Sequence, residues 1–225
     1  MRVDTPSPRA PDMVMSILGA NLPLHSRTHD SWAVAVLGDP LALLNDHAHL
    51  EKKAAVNALE LIDRWPEPAP PAYWVEKMAA IARDEADHLM VVTRLLTRRG
   101  GVMSKFHRNP YAAELRRLVR GGTPGELMDR LMVSALIEAR SCERFECLAR
   151  NCEDKELARL YADLWASENG HYLTFIDLAR KLTRDDKEVD RRWEEFLDAE
   201  ARIIGSQSPG PGMHSGVTAS SERIV

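Results

Sequence analysis

Arg83-Asp84-Glu85-Ala86-Asp87-His88 and Ser167-Glu168-Asn169-Gly170-His171 carry two copies of one short pattern, Glu-x-x-His. On a helix, residues three apart share a face. Each copy therefore aims a carboxylate and an imidazole the same way. A lone glutamate stands on the apolar face of the helical stretch before each copy, Glu51 before the first and Glu138 before the second. The chain order is Glu, Glu-x-x-His, Glu, Glu-x-x-His. With 18 Glu and 8 His in 225 residues, roughly 0.6 Glu-x-x-His pairs arise by chance, so the neighbours carry the weight.

Those neighbours are apolar. Leu44, Ala48, Ala58 and Ile62 share a face with Glu51, and Met78, Ile81, Val92 and Leu96 with Glu85. Leu131, Ala135, Cys142 and Phe145 share one with Glu138, and Tyr161, Leu164, Trp165 and Phe175 with Glu168. Four carboxylates thus sit in stripes that should face a core. An unpaired buried carboxylate costs several kcal/mol or takes up a proton. Two divalent metals would balance four carboxylates and leave both imidazoles neutral, as ligation requires. Glu51, Glu85, His88, Glu138, Glu168 and His171 match the ligand set of ferritin-like di-iron and di-manganese bundles. The expected fold class is all-α: a ferritin-like antiparallel four-helix bundle with additional short N-terminal, linker and C-terminal helices.

The chain is long enough for one well-buried domain, and its 44% hydrophobic and 28% charged residues are those of a globular protein. No apolar run approaches a membrane span and no secretory leader is evident, so a cytoplasmic, membrane-free protein is expected. Cys142, Cys147 and Cys152 form no C-x-x-C and read as reduced thiols.

Residues 1–28 read as a flexible arm with one helical turn near Met13 to Leu18, 29–204 as the bundle domain and 205–225 as a disordered tail. Asp30 is expected to cap a short helix from Ser31 to Leu37. Pro40 opens a long helix that runs to about Trp65, before a proline-rich connector. A second long helix spans about Ala72 to Arg99, stopped by Gly100-Gly101. A short helix, Tyr111 to Arg120, follows in the linker. Thr123-Pro124-Gly125-Glu126 reads as a capping box for a third long helix ending near Asn151. Asp154 starts a fourth, to about Leu182. A fifth, 185–204, would pack through Val189, Trp193, Phe196, Leu197, Ile203 and Ile204. Two helical hairpins joined by a long crossing linker result.

Glutamate and histidine ligands suit iron, manganese or zinc, and a carboxylate-rich set of six favours a two-metal cluster. Glu85 and Glu168 are the expected catalytic carboxylates, bridging the metals and shifting mode. Asp84 is placed either to accept from His171 Nδ1 across the bundle or as a solvated residue. His47, one turn before Glu51, either lines the pocket or packs in the core. Glu143 rivals Glu138 as the third-helix ligand, but its spacing to Arg140 and Glu146 suits a polar ion-pair face. His49 belongs to a decoy, Asp46-x-x-His49, on a mixed face.

The linker from Arg94 to Arg120 holds eight Lys or Arg, with Glu114 its only acid. Such a local excess in a chain of net charge −4 marks an anion-facing surface, or else a solvated basic loop. Arg98, Arg99, Lys105, Arg108, Arg116, Arg117 and Arg120 are the candidate nucleic-acid contacts, with Phe106 and Tyr111 available to stack on bases.

Leu44-Asn45-Asp46-His47-Ala48-His49-Leu50-Glu51-Lys52-Lys53-Ala54-Ala55, Arg83 to His88, and Ala135-Leu136-Ile137-Glu138-Ala139-Arg140-Ser141-Cys142-Glu143-Arg144-Phe145 have a more specific character. Together they resemble the bacterial tRNA 2-methylthio-N6-isopentenyladenosine hydroxylases, the MiaE family, over about Ser31 to Leu182. The resemblance implies a non-haem di-iron monooxygenase that hydroxylates the isopentenyl group of the hypermodified adenosine beside the anticodon. Its cofactors would be two iron ions, with dioxygen as co-substrate and an external electron donor. Its partners would be tRNA and an electron-transfer protein or reductase. The rival readings are a rubrerythrin-like di-iron oxidase acting on a small molecule or peroxide, an iron-handling protein, and a metal-free helical interaction protein.

Overall fold

The structure, a computed structural model, describes residues 22–66, 68–122, 125–183 and 185–217. The helical turn expected near Met13, part of the capping box (Thr123 and Pro124) and the last eight residues lie outside them. Seven helices form among the described residues: α1 (Asp30–Leu37), α2 (Pro40–Ile62), α3 (Ala72–Arg98), α4 (Pro110–Arg116), α5 (Gly125–Asn151), α6 (Lys155–Lys181) and α7 (Asp186–Ser206). None is long and apolar enough to cross a membrane.

Local chemistry explains most of the boundaries. Asp39 caps α2 by accepting from the Ala42 amide, with Pro40 in the first turn. Asp154 caps α6 by accepting from the Glu156 and Leu157 amides. Gly100, at φ 84°, ends α3, and the Gly101 amide reaches back to the Leu96 carbonyl, a closure that a left-handed glycine permits. His29 rather than Asp30 caps α1, its ring accepting from the Ser31 amide. The short linker helix stops at Arg116, so Arg120 lies beyond it. There the Arg120 backbone and guanidinium both turn back onto the buried Asp129.

α2 pairs with α3 and α5 with α6, as two antiparallel hairpins. Two apolar layers fill the bundle. One gathers Ala58, Leu61, Met78, Ile81, Leu131, Ala135 and Phe175. The other gathers Leu44, Ala48, Val92, Leu96, Phe145, Tyr161 and Trp165. The C-terminal half of α2 and the N-terminal half of α5 meet in the first layer. The linker after α3 must therefore run the length of the bundle to reach the start of α5. It does so with Met103 against the second layer and Tyr111 and Leu115 in the first.

α5 is the most enclosed helix, because α1, α4 and α7 cover the sides that α6 leaves free. The polar ion-pair face expected around Glu143 forms, and it is interior. Arg140, 1% exposed, is held by Glu200 of α7 and by Glu143. Glu143 also accepts from the Thr28 amide and hydroxyl, at 2.6 and 2.7 Å. Residues 22–28, expected to be part of a flexible arm, are thereby tied down, with Leu22 and Leu24 buried. The expectation of disorder from Gly205 also fails for residues 205–217. α7 continues to Ser206, Met213 is fully buried, and its amide donates to Asp46 Oδ2 at 2.7 Å. The glycines that suggested looseness permit close contact instead. A Cβ on Gly216 would lie 1.8 Å from the Gln207 carbonyl oxygen, so only glycine lets the tail close on itself.

Candidate metal centre

Between the two apolar layers lies one polar layer. The Glu-x-x-His steps on α3 and α6, with Glu51 of α2 and Glu138 of α5, bring all six residues to one place, each buried. They form two overlapping groups, Glu51, Glu85, His88 and Glu168 in one and Glu85, Glu138, Glu168 and His171 in the other, with the ligand-type atoms of each group within 4.8 Å of one another. Glu85 and Glu168 belong to both, which is where bridging carboxylates would stand. Glu143 belongs to neither.

His88 Nδ1 lies 3.0 Å from Glu168 Oε1 and 3.7 Å from Glu51 Oε2. His171 Nδ1 lies 2.8 Å from Glu85 Oε1. Yet both Nδ1 atoms, both Glu85 oxygens and Glu168 Oε1 are buried without an aligned hydrogen-bond partner among the described residues. Atoms this close and this poorly aligned with one another are aimed at a common point between them. Donors of this kind suit iron or manganese, so the residues fit a two-metal cluster.

The electrostatics agree. Burial, then Glu168 and Glu51, pushes the Glu85 carboxyl up to about 8. Burial and the same crowding raise Glu138 well above the carboxylate range. Burial would lower His171, but Glu168 and Glu85 outweigh it and raise it to about 10. His88 is raised likewise against its own burial by Glu168, Glu51 and Glu85. Burial opposes ionisation of Glu168, but His171 and His88 hold it near 2. Glu51 is kept below its usual range against burial by His47 and His88. Without cations the layer keeps protons on groups that would otherwise shed them. Divalent metals would take the place of those protons.

The supporting residues differ in detail from expectation. His171 Nε2, not Nδ1, faces Asp84 Oδ2, at 3.5 Å. The ring nitrogen nearer the backbone turns to the cluster, which leaves the outer one for the half-buried edge where Asp84 sits. His47 is buried against Glu51, stacked on Tyr161 and tilted against Phe145. The decoy His49 bonds Ser104 and stacks on His107, away from the cluster.

The basic linker splits in two. Arg98 pairs with Glu156, Arg99 with Asp154 and Glu156, and Arg120 with Asp129 and Glu188. Those three serve the fold's own acids, which the linker's composition could not reveal. Lys105, Arg108, Arg116 and Arg117 are exposed and form no ion pair among the described residues. Phe106 is 83% exposed, whereas Tyr111 is fully buried and donates to Glu200, so Tyr111 is not a stacking platform. Sequence reasoning missed Lys53, whose Nζ lies 2.7 Å from His107 Nδ1 and which faces Arg116 across a small cavity reaching Glu138. Its position on the mixed face of α2, two residues after Glu51, was the available signal.

The model of one protein family, described as tRNA-(MS[2]IO[6]A)-hydroxylase (MiaE), matches residues 17–215. The chain belongs to the MiaE family. A relative from Pseudomonas putida, named tRNA 2-(methylsulfanyl)-N(6)-isopentenyladenosine(37) hydroxylase, is 40% identical over 190 residues, which cover 84% of this chain and 90% of the relative. A MiaE relative of the same name from Salmonella typhimurium is 33% identical over 145 residues, 64% of this chain and 53% of its own. A solved structure, protein 43 with aldehyde deformylating oxygenase activity from Synechococcus, superposes with a TM-score of 0.78 at 34% identity, covering 88% of this chain and 98% of that one. The MiaE match extends past Gly205, so the packed tail to residue 215 lies within the family's span.

Proposed function

We propose that this protein is a tRNA-modifying non-haem di-iron monooxygenase that hydroxylates the isopentenyl group of 2-methylthio-N6-isopentenyladenosine next to the anticodon. The observation that carries the reading is the pair of overlapping ligand groups sharing Glu85 and Glu168, in a chain of the MiaE family. Glu51 and His88 would hold one iron and Glu138 and His171 the other, with Glu85 and Glu168 shared by both groups. Two irons so held supply dioxygen activation and the oxidising power to hydroxylate an unactivated carbon; an external reductase or electron-transfer protein supplies the electrons. Asp84 fixes the His171 ring through its outer nitrogen, and the two apolar layers keep bulk water from the cluster. The exposed Lys105, Arg108, Arg116 and Arg117 hold tRNA phosphates.

The test is nucleoside analysis of tRNA incubated with iron-loaded protein, reductant and dioxygen. The expected outcome is a hydroxylated isopentenyl nucleoside, from protein holding about two irons per chain. Fully loaded protein that leaves the tRNA unchanged would sink the assignment. The likeness to the Synechococcus structure favours one second reading, an oxygenase acting on an aldehyde. Loss of the formyl carbon from an aldehyde, with tRNA untouched, would select it.

A further inference from the structure

The cavity that touches Glu138 lies where α4 of the crossing linker passes over the gap between α2 and α5. Its buried end is Glu138, 5% exposed, and its outer end is the exposed Arg116. Leu50, Ala54 and Ile137 make its walls. The larger cavities, beside His214 and along the outer face of α3, touch none of the six cluster residues.

Its volume of about 50 Å³ is room for only about three or four water-sized spheres. A purine does not fit, and a five-carbon branched arm, near benzene in size, enters only as the half-buried Lys53 and exposed Arg116 side chains swing outward. Two polar groups interrupt the apolar wall partway along. Asn57 Nδ2 donates to Ser134 Oγ at 3.0 Å, and Ser134 Oγ donates onward to the Arg130 carbonyl at 3.1 Å. Asn57 Oδ1 accepts no hydrogen bond among the described residues, so one acceptor is free beside the slot. At the mouth, Lys53 of α2 and Arg116 of α4 face each other. Neither cation has an acid within ion-pair distance among the described residues, which is an anion-binding arrangement.

Taking the proposed hydroxylase reading as its basis, we infer that this slot is the entry for the isopentenyl arm of the nucleotide. Lys53 and Arg116 take a phosphate, Asn57 Oδ1 accepts the N6–H at the junction of base and arm, and the end of the arm lies against Glu138. The slot thus assigns the substrate to the Glu138–His171 half of the cluster. It makes Asn57 a positioning residue, selective for an N6-alkylated adenine whose nitrogen still carries a hydrogen.

The inference is tested by calorimetric binding of N6-isopentenyladenosine 5′-monophosphate, its nucleoside and adenosine 5′-monophosphate to parent and variants, with and without iron. The parent should prefer the isopentenyl monophosphate to both others. Ala54→Phe should erase the preference for the isopentenyl arm. Asn57→Leu should weaken isopentenyl monophosphate binding by roughly three- to tenfold and raise KM more than it lowers kcat. Arg116→Glu should lose the advantage of the monophosphate over the nucleoside, about tenfold or more. Iron content should stay at the parent's level in all three. If Ala54→Phe fails to fold, the other two, at half-buried and exposed positions, still decide. A parent that hydroxylates tRNA while Asn57→Leu and Arg116→Glu bind and turn over as it does would overturn the slot and leave the activity standing. A parent that binds through the slot but never hydroxylates would leave the slot standing and remove the activity.

Discussion

Glu138 and Glu143 lie on the same helix and are both buried, yet they face opposite fates. Glu138 meets Glu85, Glu168 and His171 of the cluster. Glu143 meets Arg140, Thr28 and, at 3.8 Å, Arg144. The helical period decides this, since five residues along a helix turn the side chain by about 140°. Glu138→Ala should therefore lose close to half the bound iron while leaving the fold intact. Glu143→Ala should keep the iron and cost about 1–3 kcal/mol of stability, because Arg140 and the Thr28 amide lose a partner in the interior. Elemental analysis and thermal melting of the two variants separate these outcomes. Iron loss in Glu143→Ala with retention in Glu138→Ala would reverse the assignment.

At the level of elements, the unexpected finding is how much of the periphery is built into α5. The N-terminal segment reaches it through Thr28 and Ser26, α7 through Glu200, and the tail through Ser215, whose carbonyl accepts from Arg144 at 3.1 Å. Arg144 also lies over the Trp32 ring, 3.9 Å from its centre. The tail is thus a structural strap, and a chain ending at Gln207 should be less stable. Losing the buried Met213 contributes about 1.5–3 kcal/mol, a fall in Tm of roughly 3–10 °C for a chain of this size. Iron content should be unchanged, since no cluster residue lies in the strap. A melting temperature equal to the parent's would show that the packed tail adds no stability.

For the whole molecule, the polar layer is a stability problem that divalent metal would solve. Burial and crowded carboxylates push Glu85 and Glu138 up, and the neighbouring carboxylates raise His88 and His171 against their own burial. A ligand that binds only the folded chain stabilises it by about 2.7 kcal/mol at a hundredfold excess over Kd. Iron under anaerobic conditions should therefore raise Tm by roughly 5–10 °C, and a chelator should reverse it. An unchanged melting temperature with iron bound would mean that the unfolded chain binds iron as well as the folded one.

The helices, their order and the six converging residues were legible in the chain itself. Helical period and capping are local, and the Glu-x-x-His spacing places two ligand types on one face wherever a helix forms. The MiaE character was legible too, because the residues between the ligands carry it. Tertiary structure alone decided which charges are free. Arg98, Arg99 and Arg120 look like Arg116 and Arg117 in sequence, but Glu156 and Asp154 reach the first two from a distant segment, and the chain folds back to set Arg120 on Asp129 at the start of the next helix. It also decided that the glycine-rich tail packs, that Glu143 is interior, and that Lys53, Asn57 and Ser134 share a cavity with Glu138. Each of these depends on contacts between elements far apart in the chain, and neither period nor composition encodes which distant side chain arrives.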